Sequence, residues 1–451
     1  MAERLSVKQK LGFGICDLGG NLFFTLMGFW ALKYLTDVVG LAAAWAGAAV
    51  MAGKAWDAVT DPAMGYISDR TATRWGRRRP YLLFGAAPMM LSMWFFFTRP
   101  SIANPALLFL WAVFALMLLN TAATVINVPY SSLTPELTSD YHEKTSLNGY
   151  RFGCAVFGTM IGAAAALPLV QFFAITGRRV FAESGTDKGW SVTGLFLGAI
   201  MALTALLTFF NTREKRRPGS AFPSDGFFST YREVFTNRSF VRLLAAYALH
   251  IIGITFVQSI LSYYTEYVYQ RPDLTPLAMF ILLLTAMIFI PVSVLVSKRL
   301  GKKRTYQICF VILASGCMIV FLLGRLLGPW FFLGLMAYAG AGVGFSYVSP
   351  WAMVPDTIEF DAARSGERKE GAYYGIWTFV SKLGTSLSVF VSGFILDLGG
   401  YAANMRQGEK ALSAITVLIG PIPAFVFIAA LFCIQFYTLD EDKYRKILAS
   451  R

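Results

Sequence analysis

The sequence predicts an all-α polytopic membrane protein, with about twelve transmembrane helices in two pseudo-symmetric six-helix bundles. Three observations carry this. Apolar residues make up 56% of the 451, charged residues only 15%, and Phe alone occurs 39 times; a water-soluble chain of this size has no interior large enough to hide them. Apolar stretches of about 20 residues, the length that crosses a hydrocarbon core, recur along the whole chain. Most of the 40 lysines and arginines gather in alternate connections between those stretches.

The stretches fall at 11–36, 41–68, 80–98, 105–132, 147–174 and 189–211, then at 240–267, 275–297, 304–324, 330–354, 371–396 and 411–437. Lipid leaves open backbone groups unsatisfied and no alternating barrel pattern appears, so the spans are helices. The first is too long for a signal-peptide core. With the N-terminus inside, the Lys-rich and Arg-rich connections all face the cytoplasm. Both termini are then cytoplasmic, in a bacterial-type inner membrane. The net charge of +14 becomes a topology signal and a contact with anionic lipid, not a nucleic-acid patch.

Two bundles follow from the spacing: 1–211, a cytoplasmic linker at 212–239 containing Arg213-Glu-Lys-Arg-Arg217, 240–440, and a cytoplasmic tail at 441–451. A repeat supports the division. Gly65-Tyr-Ile-Ser-Asp69-Arg70 and Arg74-Trp-Gly-Arg-Arg-Arg79 follow the second span, and Ser297-Lys-Arg-Leu-Gly-Lys-Lys-Arg304 follows the eighth. A basic, Gly-containing tight loop at one place in each half is how many secondary transporters are built.

Charges inside spans need a reason, because each costs roughly 3 kcal/mol or more to insert. Lys54, Asp57 and Asp61 lie on the second span with Gly65 beyond; at 100° per residue they share a stripe about 80° wide. Two carboxylates one turn apart either share a cation or hold a proton. The stripe therefore suits a coupling ion, Na⁺ or H⁺, with Thr60 and Thr124 adding neutral oxygens. The plainer alternative is a static Lys54–Asp57 pair that ties helices together. Asp17 and Asn21 sit four apart on the first span, Asn127 on the fourth, Arg151 on the fifth, His250 and Gln258 on the seventh, and Lys382 on the eleventh. Asn127 and Gln258 read more readily as interhelical hydrogen bonds than as ligands, and His250 still more so as a packed imidazole. Planar amides, charges and an aromatic face are what a sugar requires. Asn21, Asn127, Arg151, Tyr347, Trp351, Trp377 and Lys382 supply them, with Tyr347 and Trp351 the expected ring platform.

Enzymatic chemistry is poorly provided for. The only two histidines are His142 and His250, and the five cysteines (Cys16, Cys154, Cys309, Cys317, Cys433) are scattered through apolar stretches. No nucleophile, base or metal-ligand constellation forms. No cofactor is expected beyond the coupling ion, and the expected partners are a small solute and lipid, with the chain a monomer.

The motifs Lys54-Ala-Trp-Asp57-Ala-Val-Thr-Asp61-Pro-Ala-Met-Gly65, Arg74-Trp-Gly-Arg-Arg-Arg-Pro80-Tyr, Asn127-Val-Pro-Tyr130, Leu133-Thr-Pro-Glu136-Leu-Thr-Ser-Asp140-Tyr and Gly366-Glu-Arg368-Lys-Glu370-Gly371 carry a resemblance. Together they resemble the glycoside–pentoside–hexuronide:cation symporters, the melibiose permease-like branch of the major facilitator superfamily. The resemblance implies alternating access, a cation site at Asp57 and Asp61 with Thr60 and Thr124 nearby, and a central cavity lined by Arg151 and Lys382. It departs where two galactoside-gripping carboxylates of melibiose permease align with Asn21 and Asn127, and where Ser131 replaces an aromatic. Losing two negative charges beside Lys54, Arg151 and Lys382 leads to the expectation of an anionic sugar, a hexuronide or sulfosugar. Cation-coupled carriage of a lysophospholipid-like amphipath and proton-driven efflux are the alternatives. Asp17 and Lys54 join the solute-facing set, and Asp69, Arg77, Glu136, Asp140, Asp356 and Glu359 form an expected cytoplasmic ion-pair gate.

Overall fold

The computed structural model describes residues 5–137, 141–181, 186–212, 214, 233–365, 370–437 and 439. The described residues are helical throughout, apart from connections and one isolated bridge between Thr73 and Gly76. The helices are α1 (Val7–Lys33), α2 (Ala43–Arg70), α3 (Arg79–Phe96), α4 (Pro105–Leu137), α5 (Tyr141–Met160), α6 (Ala166–Phe181) and α7 (Thr186–Asn211). Beyond the linker come α8 (Arg238–Tyr263), α9 (Leu274–Leu300), α10 (Lys302–Ser365), α11 (Glu370–Leu398), α12 (Glu409–Ile419) and α13 (Pro421–Gln435).

Nine described segments are long and apolar enough to cross a membrane. The longest is broken at Gly328, where φ is 77°, into two spans. α2, with its three internal charges, and α3, which opens on Arg79-Pro80, are less apolar and complete the set. The chain is an all-α integral membrane protein.

It divides into two compact units, Met1–Ala221 with Ala402–Met405, and Phe222–Tyr401 with Arg406–Arg451. Most of the linker expected at 212–239, and the tail expected at 441–451, lie outside the described residues.

In the first unit α1 packs along α5 and α7, α2 along α4, and α3 along α4 and α7. α1 starts where Ser6 and Gln9 form a capping box, Gln9 N–H donating to Ser6 Oγ at 3.2 Å and Ser6 N–H to Gln9 Oε1 at 2.9 Å. The close α1–α5 approach needs Gly158, because a Cβ there would collide with the Leu18 carbonyl; small residues allow such contacts between membrane helices. In the second unit α8 packs against α11 and α13, and α9 along α10.

Three π-turns interrupt the helices, at Tyr34–Val39, Ile161–Ala165 and Tyr264–Val268. The first and third close the opening span of each unit on similar residues, Tyr34-Leu-Thr-Asp37 and Tyr263-Tyr-Thr-Glu266. The middle one receives the Trp30 indole N–H on its Gly162 carbonyl at 3.0 Å. In the first turn Lys33 pairs with Asp37 at 2.6 Å, and the Thr36 hydroxyl donates to the same carboxylate at 2.7 Å.

The basic loop after α2 is built around Glu214. Its Oε2 accepts the backbone N–H of Arg77 at 2.8 Å and of Arg78 at 3.1 Å, with Arg77 Nε 3.8 Å from Oε1. Gly76 turns the chain at φ 108°, and a Cβ there would strike the Glu214 carboxylate. Arg78 donates to the Ser132 carbonyl, and Arg79 to that of Phe209 at 2.7 Å. The matching loop of the second unit is fixed by Lys302, which donates to both Asp356 oxygens at 2.6 and 2.8 Å and to the Ala352 carbonyl at 3.0 Å. Gly76→Ala must strain a left-handed turn and displace Glu214, so it should cost about 1–3 kcal/mol. A lower melting temperature in detergent checks this, and an unchanged one would show the loop is held otherwise.

Candidate functional site

The second-span stripe of the first unit brings Lys54 and Asp57 together. Lys54 Nζ lies 3.6 Å from Asp57 Oδ2, and Asp57 is 3% exposed. Lys54 is held from α4 as well: Nζ donates to Asn120 Oδ1 at 3.0 Å, while Asn120 Nδ2 donates to the Gly53 carbonyl at 3.0 Å. The ammonium also sits 5.3 and 5.5 Å from the ring centres of Phe23 and Phe24 on α1, a favourable place for a desolvated cation. Asn120 gave no sign in the sequence, where it is one amide in an otherwise apolar run.

Asp61 is half-buried and takes a 2.9 Å hydrogen bond from the Thr124 hydroxyl. Thr60, expected beside it, turns its hydroxyl back along its own helix to the Trp56 carbonyl at 3.3 Å. Pro62 follows Asp61 inside the helix and has no N–H, which leaves the Ala58 carbonyl without its ordinary helix donor. Among the described residues no group of three or more His, Cys, Asp or Glu could hold a metal ion. An ion at α2 would draw on two carboxylates, hydroxyls and backbone oxygens, the ligands of a hard cation.

Asp17 forms a second cluster. Arg151 grips it side-on, Nε to Oδ2 at 2.6 Å and Nη2 to Oδ1 at 3.3 Å. The Tyr130 hydroxyl donates to Oδ2 at 2.6 Å and approaches the Phe13 carbonyl at 3.1 Å. Asn21, read as solute-facing, sends its amide to the Asp17 carbonyl at 2.9 Å. Asn127 packs against Gly20 and lines a cavity of about 10 Å³ with Cys16, Phe23 and Thr204. That is room for about one water, not a sugar.

In the second unit Tyr347 and Trp351 are 42% and 46% exposed, leaving open rings one turn apart. Trp377 corrects the expectation of a third solute-facing ring. It is fully buried and stacks on Tyr247 at 3.8 Å, with Trp351 at 6.2 Å; packing against the core already occupies its face. His250 is a core residue bonded through Nδ1 to the Tyr306 hydroxyl at 3.0 Å. Gln258 and Lys382 are half-buried on α8 and α11.

Two of the six expected gate residues have ion pairs among the described residues. Arg77 meets Glu214, a linker residue outside the expected set, and Asp356 meets Lys302. Glu359 is half-buried on α10. Asp140 and the side chains of Asp69 and Glu136 lie outside the described residues.

A family description, MFS/sugar transport protein, matches residues 12–441. The chain belongs to this family. Its relatives within it are transporters rather than enzymes. A Bacillus subtilis symporter, YnaJ, is 31% identical over 99% of this chain and 95% of its own. An isoprimeverose transporter of Lactiplantibacillus pentosus is 26% identical over 96% and 89%. A glucuronide carrier protein homologue of Escherichia coli is 28% identical over 99% and 96%. Membership accounts for the motifs running from the second span to Gly371, and makes the chain a secondary active transporter of sugar type.

The Asn120 clamp on Lys54 is testable. Asn120→Ala removes the acceptor of a nearly buried ammonium, and such losses cost about 1–3 kcal/mol. The expected result is a clear fall in melting temperature, against little change for the exposed, lipid-type substitution Phe114→Leu.

Proposed function

We propose that the chain is a cation-coupled symporter of a sugar or glycoside, working by alternating access, with both termini in the cytoplasm and the chain a monomer. The observation that carries this is the α2–α4 cluster. Lys54 and Asp57 are paired, and Asp61, half-buried one turn on, takes a hydroxyl donor from Thr124 on α4. A buried pair beside a partly open carboxylate is suited to binding one small cation and releasing it. An ion or proton there would neutralise α2 and ease movement of helices around bound solute.

Charge argues less strongly for an anionic solute. The sequence set Lys54, Arg151 and Lys382 against lost carboxylates, and two of the three have an acidic partner in the first unit, Asp57 for Lys54 and Asp17 for Arg151. The relatives include one named for isoprimeverose and others named for a glucuronide, sulfoquinovose and 2,3-dihydroxypropane-1-sulfonate, so kinship does not single out a neutral solute. The paired charges favour a neutral glycoside, with Tyr347 and Trp351 as the ring platform.

Replacing Asp57 or Asp61 by Asn should abolish accumulation driven by a Na⁺ or proton gradient in proteoliposomes while leaving solute exchange partly intact. Accumulation that survives the double replacement would refute the assignment.

A further inference from the structure

Asp17 carries a charge into the apolar run of α1, and nothing in the coupling site calls for it. Its surroundings are specific. One guanidinium edge of Arg151 is laid against both carboxylate oxygens, at 2.6 and 3.3 Å. The Tyr130 hydroxyl closes on the same carboxylate at 2.6 Å. The Tyr130 and Phe13 ring centres stand 5.0 and 5.6 Å from the guanidinium carbon, covering its faces. The cluster is not sealed, since the side chains of Arg151 and Asp17 keep 22% and 17% of their exposure.

We propose that Asp17 is a specificity-determining residue, an internal anion that occupies Arg151 and turns the site toward uncharged sugar hydroxyls, away from carboxylate or sulfonate sugars. The proposal rests on the sugar-transport reading above.

The reasoning is competition for one edge. The Nε–Nη2 edge of a guanidinium takes one carboxylate side-on at a time. A uronide or sulfosugar must displace Asp17, leaving that carboxylate with Tyr130 in a poorly solvated place, or sit beside it as a like charge. A neutral sugar meets neither penalty: its hydroxyls donate to the lone pairs Asp17 has left. An amide at position 17 keeps the shape but gives up the charge, and Arg151 is then open to an anion from solution. The Tyr130 hydroxyl is the second hold, so losing it loosens Asp17 in the same direction.

Two readouts test this. In proteoliposome counterflow with a nitrophenyl glycoside and its glucuronide, the parent should favour the glycoside. D17N should shift the ratio toward the glucuronide by about tenfold or more, and Y130F by a smaller factor, as expected where a buried charge is left unmatched. The double variant D17N/R151Q, which removes both charges, should swing back toward the glycoside. Separately, glucuronate should raise the melting temperature of purified D17N but not of the parent. A parent that prefers the glucuronide overturns the proposal, as does an unchanged ratio in D17N and Y130F or a D17N protein that glucuronate does not stabilise. If the melting shift appears but no variant moves either sugar, Asp17 keeps its role and the sugar-transport reading falls.

Discussion

A charge inside a hydrocarbon slab must be met by another charge or by a shell of dipoles, because nothing in the solvent will do it. The described architecture of the first unit follows that constraint. Lys54 is met by Asp57, Asn120 and two aromatic rings, Arg151 by Asp17 and two more, and Lys33 by Asp37. The cations and their partners together span α1, α2, α4 and α5, so satisfying the charges also fixes how these helices stand against one another. Removing one member of such a set leaves a stranded ion. The same economy makes the sites responsive, since an ion or a solute that supplies the missing charge can replace an internal partner.

Much of this was legible from residue order alone. Span length, the charge stripe on α2 and the basic loops are periodic or compositional features, and those survive the step from sequence to coordinates. Spatial partners across helices are another matter. Asn120, Tyr130 and Glu214 do their work from other segments and look ordinary in their own: an amide, a phenol after a proline, an acid in a basic linker. Trp377 shows the converse. A tryptophan near a lysine on one span suggests a binding face, yet which side of α11 it occupies is decided by Tyr247 on α8. Residue order offered a Lys54–Asp57 pair only as one alternative, and it is the coordinates that set Asp57 against Lys54 and Asp17 against Arg151.

The two tight loops show how one problem is solved twice with different parts. In the first unit a carboxylate, Glu214, reaches two backbone N–H groups and a guanidinium; in the second an ammonium, Lys302, reaches a carboxylate and a carbonyl. Anion in one and cation in the other are equally able to lock a short turn to the helices beside it. Equivalent positions in the halves therefore need not carry equivalent residues.

The wide turns that end the opening span of each unit have a consequence of their own. A π-turn is a helix holding one surplus residue, so every side chain past it is rotated by about 100° from where an unbroken helix would aim it. Tyr34–Val39 and Tyr264–Val268 place that surplus within one residue of the same point of a shared Tyr-x-Thr-acid pattern. Excising one residue from either turn would re-aim the last side chains of that span by about a quarter-turn.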